Sequence, residues 1–476
     1  MLSNKSIFLT ILSLACSLLL GFSITDDYFG NAYGALDARS YAMGSAGIYN
    51  DFRAAGITEN PANLSLMKRF AALHLGGNLN RTEDIRMLPL YNSFDNYIDD
   101  AVYASNINNY TAFSAAGFIA PSFGAFNLGI GAYHRPLYSF EGTYREEIRN
   151  NRNTDDDMYP EKIAQNDIEN KGVVSKSAAV LAVGYSFKEN LELHLGADYG
   201  WLQGDIEKLK TVQWSDWAIE RMPANRNLPE YSHQVEYELK GGDLKLGAAL
   251  RLGARWGLGF SYSPPKSLKL KGTDYEYREA FRNTAVDSTF TDLDDTHKYP
   301  SQMKLGFAYY PRNTTRTVFN MDFECVDYEG VNKAFDPLYN IYAGVEHHIV
   351  YRMPLRLGFQ AVNSYLVDRV EETNAAGETF TAFVATKVLT PMITGGSSIE
   401  LAKNLILDLG FGYAWREYSA LDLFGDSYYN DKTYTGSSTY VLWPNSYIKL
   451  ADRGWENPDK VKESYINLNA GISICW

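Results

Sequence analysis

Cysteine is almost missing from this sequence, with three in 476 residues. Cys16 falls inside the N-terminal apolar run, and the residues before it fit a lipidation box poorly. The other two, Cys325 and Cys475, cannot build a disulfide framework, and no CxxC or Cys/His cluster suggests a metal. Their strand parities put them on opposite faces of a sheet, which argues against a bridge between them. The seven histidines supply no Ser/His or Asp/His set of the kind a barrel hydrolase needs. The expectation is a protein that is not an enzyme and has no metal and no cofactor. Basic charge is in deficit too: 44 Lys+Arg stand against 57 Asp+Glu. Phosphate binding needs a basic surface, so nucleic acid is not an expected partner. Long apolar runs are also lacking. Past residue 23 no stretch reaches the roughly 18 apolar residues of a transmembrane helix.

One short apolar run does exist, at the start. Lys5 gives a positive flank, Ile7 to Leu20 are nearly all apolar, and Gly21-Phe22-Ser23 places small residues at a plausible cleavage site. This is the anatomy of a secretory signal peptide over residues 1–23. The run is short for the alternative, an N-terminal anchor helix.

Aromatics and glycine are abundant, with 35 Tyr, 24 Phe, 8 Trp and 38 Gly. They follow a period of two. One face from Leu191 reads Leu191, Leu193, Leu195, Ala197, Tyr199, Trp201, against Glu192, His194, Gly196, Asp198 and Gly200. From Leu405 the faces are Leu405, Leu407, Leu409, Phe411, Tyr413, Trp415 against Ile406, Asp408, Gly410, Gly412, Ala414 and Arg416. Strand side chains alternate sides, so each segment carries one apolar face ending in aromatics. A soluble sandwich would carry Lys, Glu and Thr on its other face; here that face is mostly Gly, Ser and Ala. Any of those glycines could mark a bulge.

Fourteen such segments can be placed, and the joints between them alternate in length. Short joints fall near 120–123, 187–190, 253–255, 311–314, 351–354 and 401–404. Long ones fall near 81–110, 140–174, 208–232, 272–298, 326–338, 364–385 and 418–463. Short turns on one side and long loops on the other, with an even strand count, predict an all-β, 14-stranded antiparallel transmembrane β-barrel over residues 69–476. That parity puts both termini in the periplasm of a Gram-negative-type cell, with the chain in the outer membrane among its lipids. The last segment alternates from Ile466 to Trp476, an aromatic ending that resembles the signal read by outer-membrane assembly machinery.

Residues 24–68 do not alternate, yet they carry Tyr41, Met43, Ile48, Phe52, Ile57, Leu64, Leu66 and Met67. A dangling linker has little use for so much apolar surface, so a folded N-terminal hatch inside the barrel lumen is expected. The run A-R-S-Y-A-M-G-S-A-G from Ala38 to Gly47 and E-N-P-A-N-L from Glu59 to Leu64 resemble the hatch of the long-chain fatty-acid transporter family (FadL/TodX-like). Ala38 stands where that family has glycine, and Ser45 where a second glycine is common. The resemblance implies a channel for passive uptake of hydrophobic small molecules, either long-chain fatty acids or aromatic hydrocarbons, with exit through a kinked strand. Barrels of the secretion-associated PorV type share a similar N-terminal motif, which leaves an alternative function of binding or shuttling exported proteins. A general polar porin fits the hatch segment poorly.

Two groups of residues follow as candidates. Hatch and gating positions are Arg39, Gly44, Gly47, Asn60, Pro61 and Ala62, with Arg39 expected to bond lumen carboxylates and Asn60-Pro61-Ala62 either to pin the hatch or to make a turn. Lumen-facing bases able to hold a substrate carboxylate are Lys245, Arg251, Lys304 and Arg356, each of which could equally pair with Asp198, Asp322, Glu324 or Asp408. Asp155 to Asp157 lack calcium-ligand spacing and read as solvated loop, and His347-His348 sit in no metal-site spacing.

Overall fold

A backbone crossing hydrocarbon must close all of its hydrogen bonds within the protein, which a sheet achieves by closing on itself. The computed structural model shows that closure. It describes residues 23–24, 26, 28–35, 37–50, 53–67, 69–91, 94, 96–149, 162–188, 191–221, 231–278, 287–312, 316–333, 335–350, 353–373, 379–420, 423, 447–449 and 459–476. The expected signal segment and Asp155 to Asp157 lie outside these.

The chain forms a closed antiparallel barrel of 14 strands. They are β1 Ala71–Tyr91, β2 Tyr97–Ile119, β3 Phe126–Ser139 continuing as Gly142–Arg149, and β4 Lys162–Lys171 continuing as Val173–Lys188. Next come β5 Leu191–Trp214, β6 Tyr231–Leu252, β7 Trp256–Ser263 with Lys266–Arg278, and β8 Asp287–Tyr299 with Ser301–Tyr309. The last six are β9 Thr317–Asp327, β10 Leu338–Val350, β11 Met353–Thr373, β12 Thr379–Ala402, β13 Leu405–Ala420 and β14 Asp459–Cys475. β14 closes onto β1 from Ala72↔Cys475 to Met87↔Lys460.

The short joints fall where alternation places them, but most of the expected long joints are strand. Residues 81–110 hold the second half of β1 and the first half of β2, paired as far as Tyr91↔Tyr97. The cause is physical. Beyond the hydrocarbon both faces of a hairpin meet water, so its side chains stop alternating while its backbone stays paired.

Outward faces carry the apolar set. Leu75, Phe113, Leu195 and Trp201 expose half or more of their surface, in a continuous apolar surface that water would not tolerate. Aromatics gather at the short-turn end (Phe126 and Tyr185, ring centroids 4.7 Å apart) and at the opposite rim (Tyr413 and Trp415, 5.7 Å). This is the belt and double girdle of a membrane-spanning barrel. Leu195→Arg should therefore destabilise the barrel by about 2–4 kcal/mol in a bilayer unfolding titration, whereas Phe290→Arg, far up the β7–β8 hairpin, should stay within about 0.5 kcal/mol.

Inside the barrel lies the N-terminal segment, with a helix α1 Ala38–Ala42, a 3-10 turn Ala54–Thr58 and a helix α2 Asn63–Leu66. α1 is too short to stand alone. The Asp37 carboxylate caps it, accepting the amides of Arg39 and Ser40 at 3.3 and 3.2 Å. Residues 37–50 and 54–67 are all buried. The glycine-rich inner face is the seat they occupy. A Cβ on Gly358 would lie 2.0 Å from the Gly44 nitrogen, and one on Gly344 would lie 2.3 Å from the Met43 carbonyl oxygen. Gly44 has a left-handed φ of 67°, and its own Cβ would meet the Phe359 carbonyl at 2.4 Å. Backbone here packs on backbone, which only glycine permits.

Candidate functional site

The N-terminal segment is tied to the wall by charge at the short-turn end. Arg39 Nε donates to Glu346 Oε2 at 2.8 Å, and Arg356 Nε donates to the same oxygen at 2.8 Å. Arg356 Nη1 is 3.1 Å from Asp408 Oδ1, while Arg53 makes a fork to Asp408 at 2.7 and 3.1 Å. Three arginines thus share two buried carboxylates, each charge held by partners that replace water. The carboxylate that Arg39 meets, Glu346, was not among those foreseen, and Arg53 was missed.

Backbone bonds complete the seat. Gly47 and Ile48 amides both donate to Asp322 Oδ2, at 2.7 and 3.0 Å, and the Gly44 amide donates to Thr394 Oγ1 at 2.9 Å. Ser45, in the place of an expected glycine, adopts a left-handed φ of 61°. Asn60 bonds both to the wall and within its own turn. Its Nδ2 donates to the Ala248 carbonyl of β6 at 3.0 Å, and its Oδ1 accepts the Ala62 amide at 3.0 Å, making the turn. Pro61 lies against Gly196 and Gly247, and Ala62 is fully buried.

Residues of this segment line two cavities. One, of about 310 Å³, opens at the short-turn end among Arg39, Arg53, Arg69, Arg316 and Arg356. The other, of about 330 Å³, lies toward the long hairpins, bounded below by Tyr41, Ser45 and Glu59. The four candidate bases divide between these ends. Lys245 and Lys304 line the upper cavity. Lys245 Nζ donates to the Thr58 carbonyl at 2.8 Å; Lys304 Nζ is 3.4 Å from Glu324 and 4.9 Å from the Tyr342 ring centre. Arg356 belongs to the lower ion network, and Arg251 lines neither cavity, its Nη1 standing 4.0 Å from Glu192.

Beside the upper cavity the wall is interrupted. β2 and β3 pair only from Ala115↔His134 to Ile119↔Ile130. Pro136 follows, with no N–H to give, and β3 shifts register against β4 between Pro136 and Tyr138. Farther up, asparagine side chains bridge the two strands in place of a ladder. Asn108 Nδ2 donates to the Thr143 carbonyl at 2.7 Å, and Asn106 Nδ2 donates to that of Arg145 at 3.0 Å. The freed edge of β3 pairs instead with Asn31 and Ala32, and the Tyr33 amide donates to the Leu137 carbonyl at 2.9 Å. The Tyr33 side chain packs on Ala112 of β2.

Arg135, at the bend itself, is held by Glu59 at 2.7 Å and by the Gly34 carbonyl at 2.9 Å. Burial alone would raise the Glu59 carboxyl; Arg135, then Lys304 and Lys245, hold it down to about 2. A depressed carboxyl contributes its full stability above the ordinary value of 4.5 and loses it as pH falls toward 2. Glu59→Gln should therefore lower the melting temperature at pH 7, and its difference from the parent should close as pH falls toward 2.

Ser65 Oγ lies 3.0 Å from His194 Nδ1, with His194 Nε2 3.5 Å from Glu192, in a Ser–His–Glu order. Ser65 and His194 are both buried between α2 and β5, and their contact ties the N-terminal segment to the wall.

The chain is thus a membrane-spanning β-barrel whose N-terminal segment folds into the lumen, meets cavities at both ends and lies along an interrupted seam. Neither a family model nor a curated relative matches the sequence. Solved structures do match in fold. The Pseudomonas putida toluene transporter TodX is 14% identical, with 94% of this chain and 99% of that one covered and a TM-score of 0.55. The Ralstonia pickettii toluene transporter TbuX is 15% identical over 94% and 98%, with a TM-score of 0.52. A Pseudomonas aeruginosa FadL homologue is 10% identical over 94% and 99%, with a TM-score of 0.53.

Proposed function

We propose that this protein is an outer-membrane channel for passive uptake of hydrophobic small molecules, with both termini periplasmic. The observation that carries the reading is the seam. A cavity above the N-terminal segment lies beside the one stretch of wall where β2 and β3 lose their ladder, and Tyr33 fills that stretch. An apolar solute leaving sideways passes from protein into lipid without crossing water, which the hydrophobic effect favours. The fold shared with two toluene transporters and a FadL homologue supports the same reading.

In this reading residues 1–23 are removed on export, residues 24–68 form the hatch, and 69–476 form the barrel. Trp476, exposed at the β1–β14 closure with its amide on the Ala71 carbonyl at 2.9 Å, carries the assembly signal. Arg39, Gly44, Gly47 and Asn60-Pro61-Ala62 hold the hatch closed. Lys245, bonded to the hatch at Thr58, receives a substrate carboxylate where there is one.

The test is uptake by an outer-membrane transport mutant complemented with this protein, using labelled oleate and toluene beside a small polar sugar. Entry of a lipophile without the sugar supports the channel. Entry of neither lipophile through an assembled barrel would contradict it and favour a surface that binds exported proteins.

A further inference from the structure

We infer that the upper cavity selects small aromatic carboxylates, of the benzoate or cinnamate class, over alkyl-tailed acids and neutral hydrocarbons. The inference rests on the uptake reading and narrows it.

The first observation is a charge left over. Among the described residues, five of the six cations lining the cavity have a carboxylate partner. Lys176 lies 2.5 Å from Asp198 and 2.6 Å from Asp243, and Lys266 lies 3.1 Å from Asp243. Lys304 pairs with Glu324 at 3.4 Å, Arg135 with Glu59 at 2.7 Å, and Arg416 with Glu463. Lys245 is the exception. Its ammonium donates to the Thr58 carbonyl, and no carboxylate among the described residues lies within 4.0 Å of it. Glu59 and Asp198 act on this ammonium only from beyond 4.0 Å, and an ammonium withdrawn from bulk water with no carboxylate in contact is incompletely compensated. A ligand carboxylate entering the cavity supplies that contact, so the site gains more from an acid than from a hydrocarbon.

The second observation concerns the walls. Tyr138 and Tyr299 stack at 4.3 Å, and Phe29 meets Tyr328 edge-on at 5.2 Å. Tyr133, Tyr342 and Tyr465 add further rings to the lining. Aliphatic lining is sparse, amounting among the described residues to Leu137, Pro300, Val326, Val362 and Met392 besides alanines. The space between is amide and hydroxyl, including Asn78, Asn80, Ser261, Ser263, Asn340 and Gln360. A long alkyl tail laid across these groups would displace their water and return no hydrogen bond. An aromatic ring offers a face and an edge to the tyrosines, and its polar substituents meet the amides and hydroxyls.

Size agrees. A cavity of about 330 Å³ is at the small end of ligand pockets, suited to one or two rings rather than to a long folded chain.

The experiment is calorimetric titration of the full-length protein in lipid nanodiscs with cinnamate, cinnamyl alcohol, oleate and toluene. Cinnamate should bind saturably, and its neutral alcohol about tenfold more weakly, as expected for a charge-assisted bond. Lys245→Gln, which keeps a donor for the Thr58 carbonyl, should weaken cinnamate by about tenfold and leave the alcohol unchanged. Lys304→Gln, whose parent ammonium already has Glu324, should leave the cinnamate–alcohol ratio within about twofold. Equal binding of acid and alcohol, or indifference of cinnamate to Lys245→Gln in a barrel that still shows native heat-modifiability, would overturn the inference. Preferred binding and passage of oleate or toluene would overturn it while leaving the uptake reading intact. Failure of all four to bind or cross would sink both.

Discussion

Gly358→Leu should unseat the N-terminal segment and turn the barrel into an open, ion-conducting pore. A Cβ at Gly358 lands 2.0 Å from the Gly44 nitrogen, and that nitrogen is main chain, with no rotamer to move it aside. Gly44 cannot retreat on its other flank, because its amide is committed to Thr394 and the segment beyond it to Asp322. The overlap is relieved only by lifting Met43 and Gly44 off β10 and β11. An insertion this tight into close-packed backbone belongs with the largest single-residue effects, above about 4 kcal/mol. The barrel ladders do not need the segment, so assembly should survive. The check is planar-bilayer conductance together with proteolysis of residues 24–68. Parent-like conductance and protection would contradict the seating.

The second large effect is expected at Glu346. One of its oxygens holds both Arg39 and Arg356, each at 2.8 Å, and His348 stands 3.5 Å from the other. Glu346→Leu would leave two buried guanidiniums facing each other across an apolar side chain. Breaking a buried pair by removing one partner costs about 3–5 kcal/mol, mostly the penalty of the charge left behind. Arg356 keeps Asp408 at 3.1 Å, whereas Arg39 loses the carboxylate that its Nε holds at 2.8 Å. Adding Arg39→Met should then recover much of the loss. In an unfolding titration the double variant should be more stable than Glu346→Leu alone. Additive losses would mean that Arg39 and Glu346 act independently.

These two sites mark where sequence reading stopped. Period-two alternation suffices for the barrel because hydrocarbon imposes it: Leu195 and Trp201 must face lipid, and His194 and Asp198 must then face in. Outside the hydrocarbon that constraint lapses, which is why 81–91 and 97–110 read as loop although they are strand. Parity gives the face of a residue and not its depth. Lys245, Arg251, Lys304 and Arg356 all have inward parity, yet only Lys245 and Lys304 reach the upper cavity. Depth is set by contact with the N-terminal segment, and those contacts join residues hundreds of positions apart. Arg53 and Glu346 were missed for that reason, as was Glu59 as the partner of Arg135. The gapped seam was equally hidden. Pro136 was its one local signal, since it removes a ladder donor, but proline at a strand edge is common.

The glycines teach a related lesson. Read from sequence they could have been bulges or simply small lumen residues. Gly344 and Gly358 are small because Met43 and Gly44 lie on them, so the inner face of β10 and β11 and the outer face of the hatch are one complementary surface.

The most direct test of lateral passage is a lock on the seam. Tyr33→Cys with Ala112→Cys joins the N-terminal segment to β2 across the site where the two side chains now pack. Uptake of labelled oleate, toluene and cinnamate is then compared in the oxidised and reduced forms. The expected result is that oxidation abolishes entry of the transported compound and reduction restores it. Undiminished entry through the oxidised barrel would contradict passage through the β2–β3 seam.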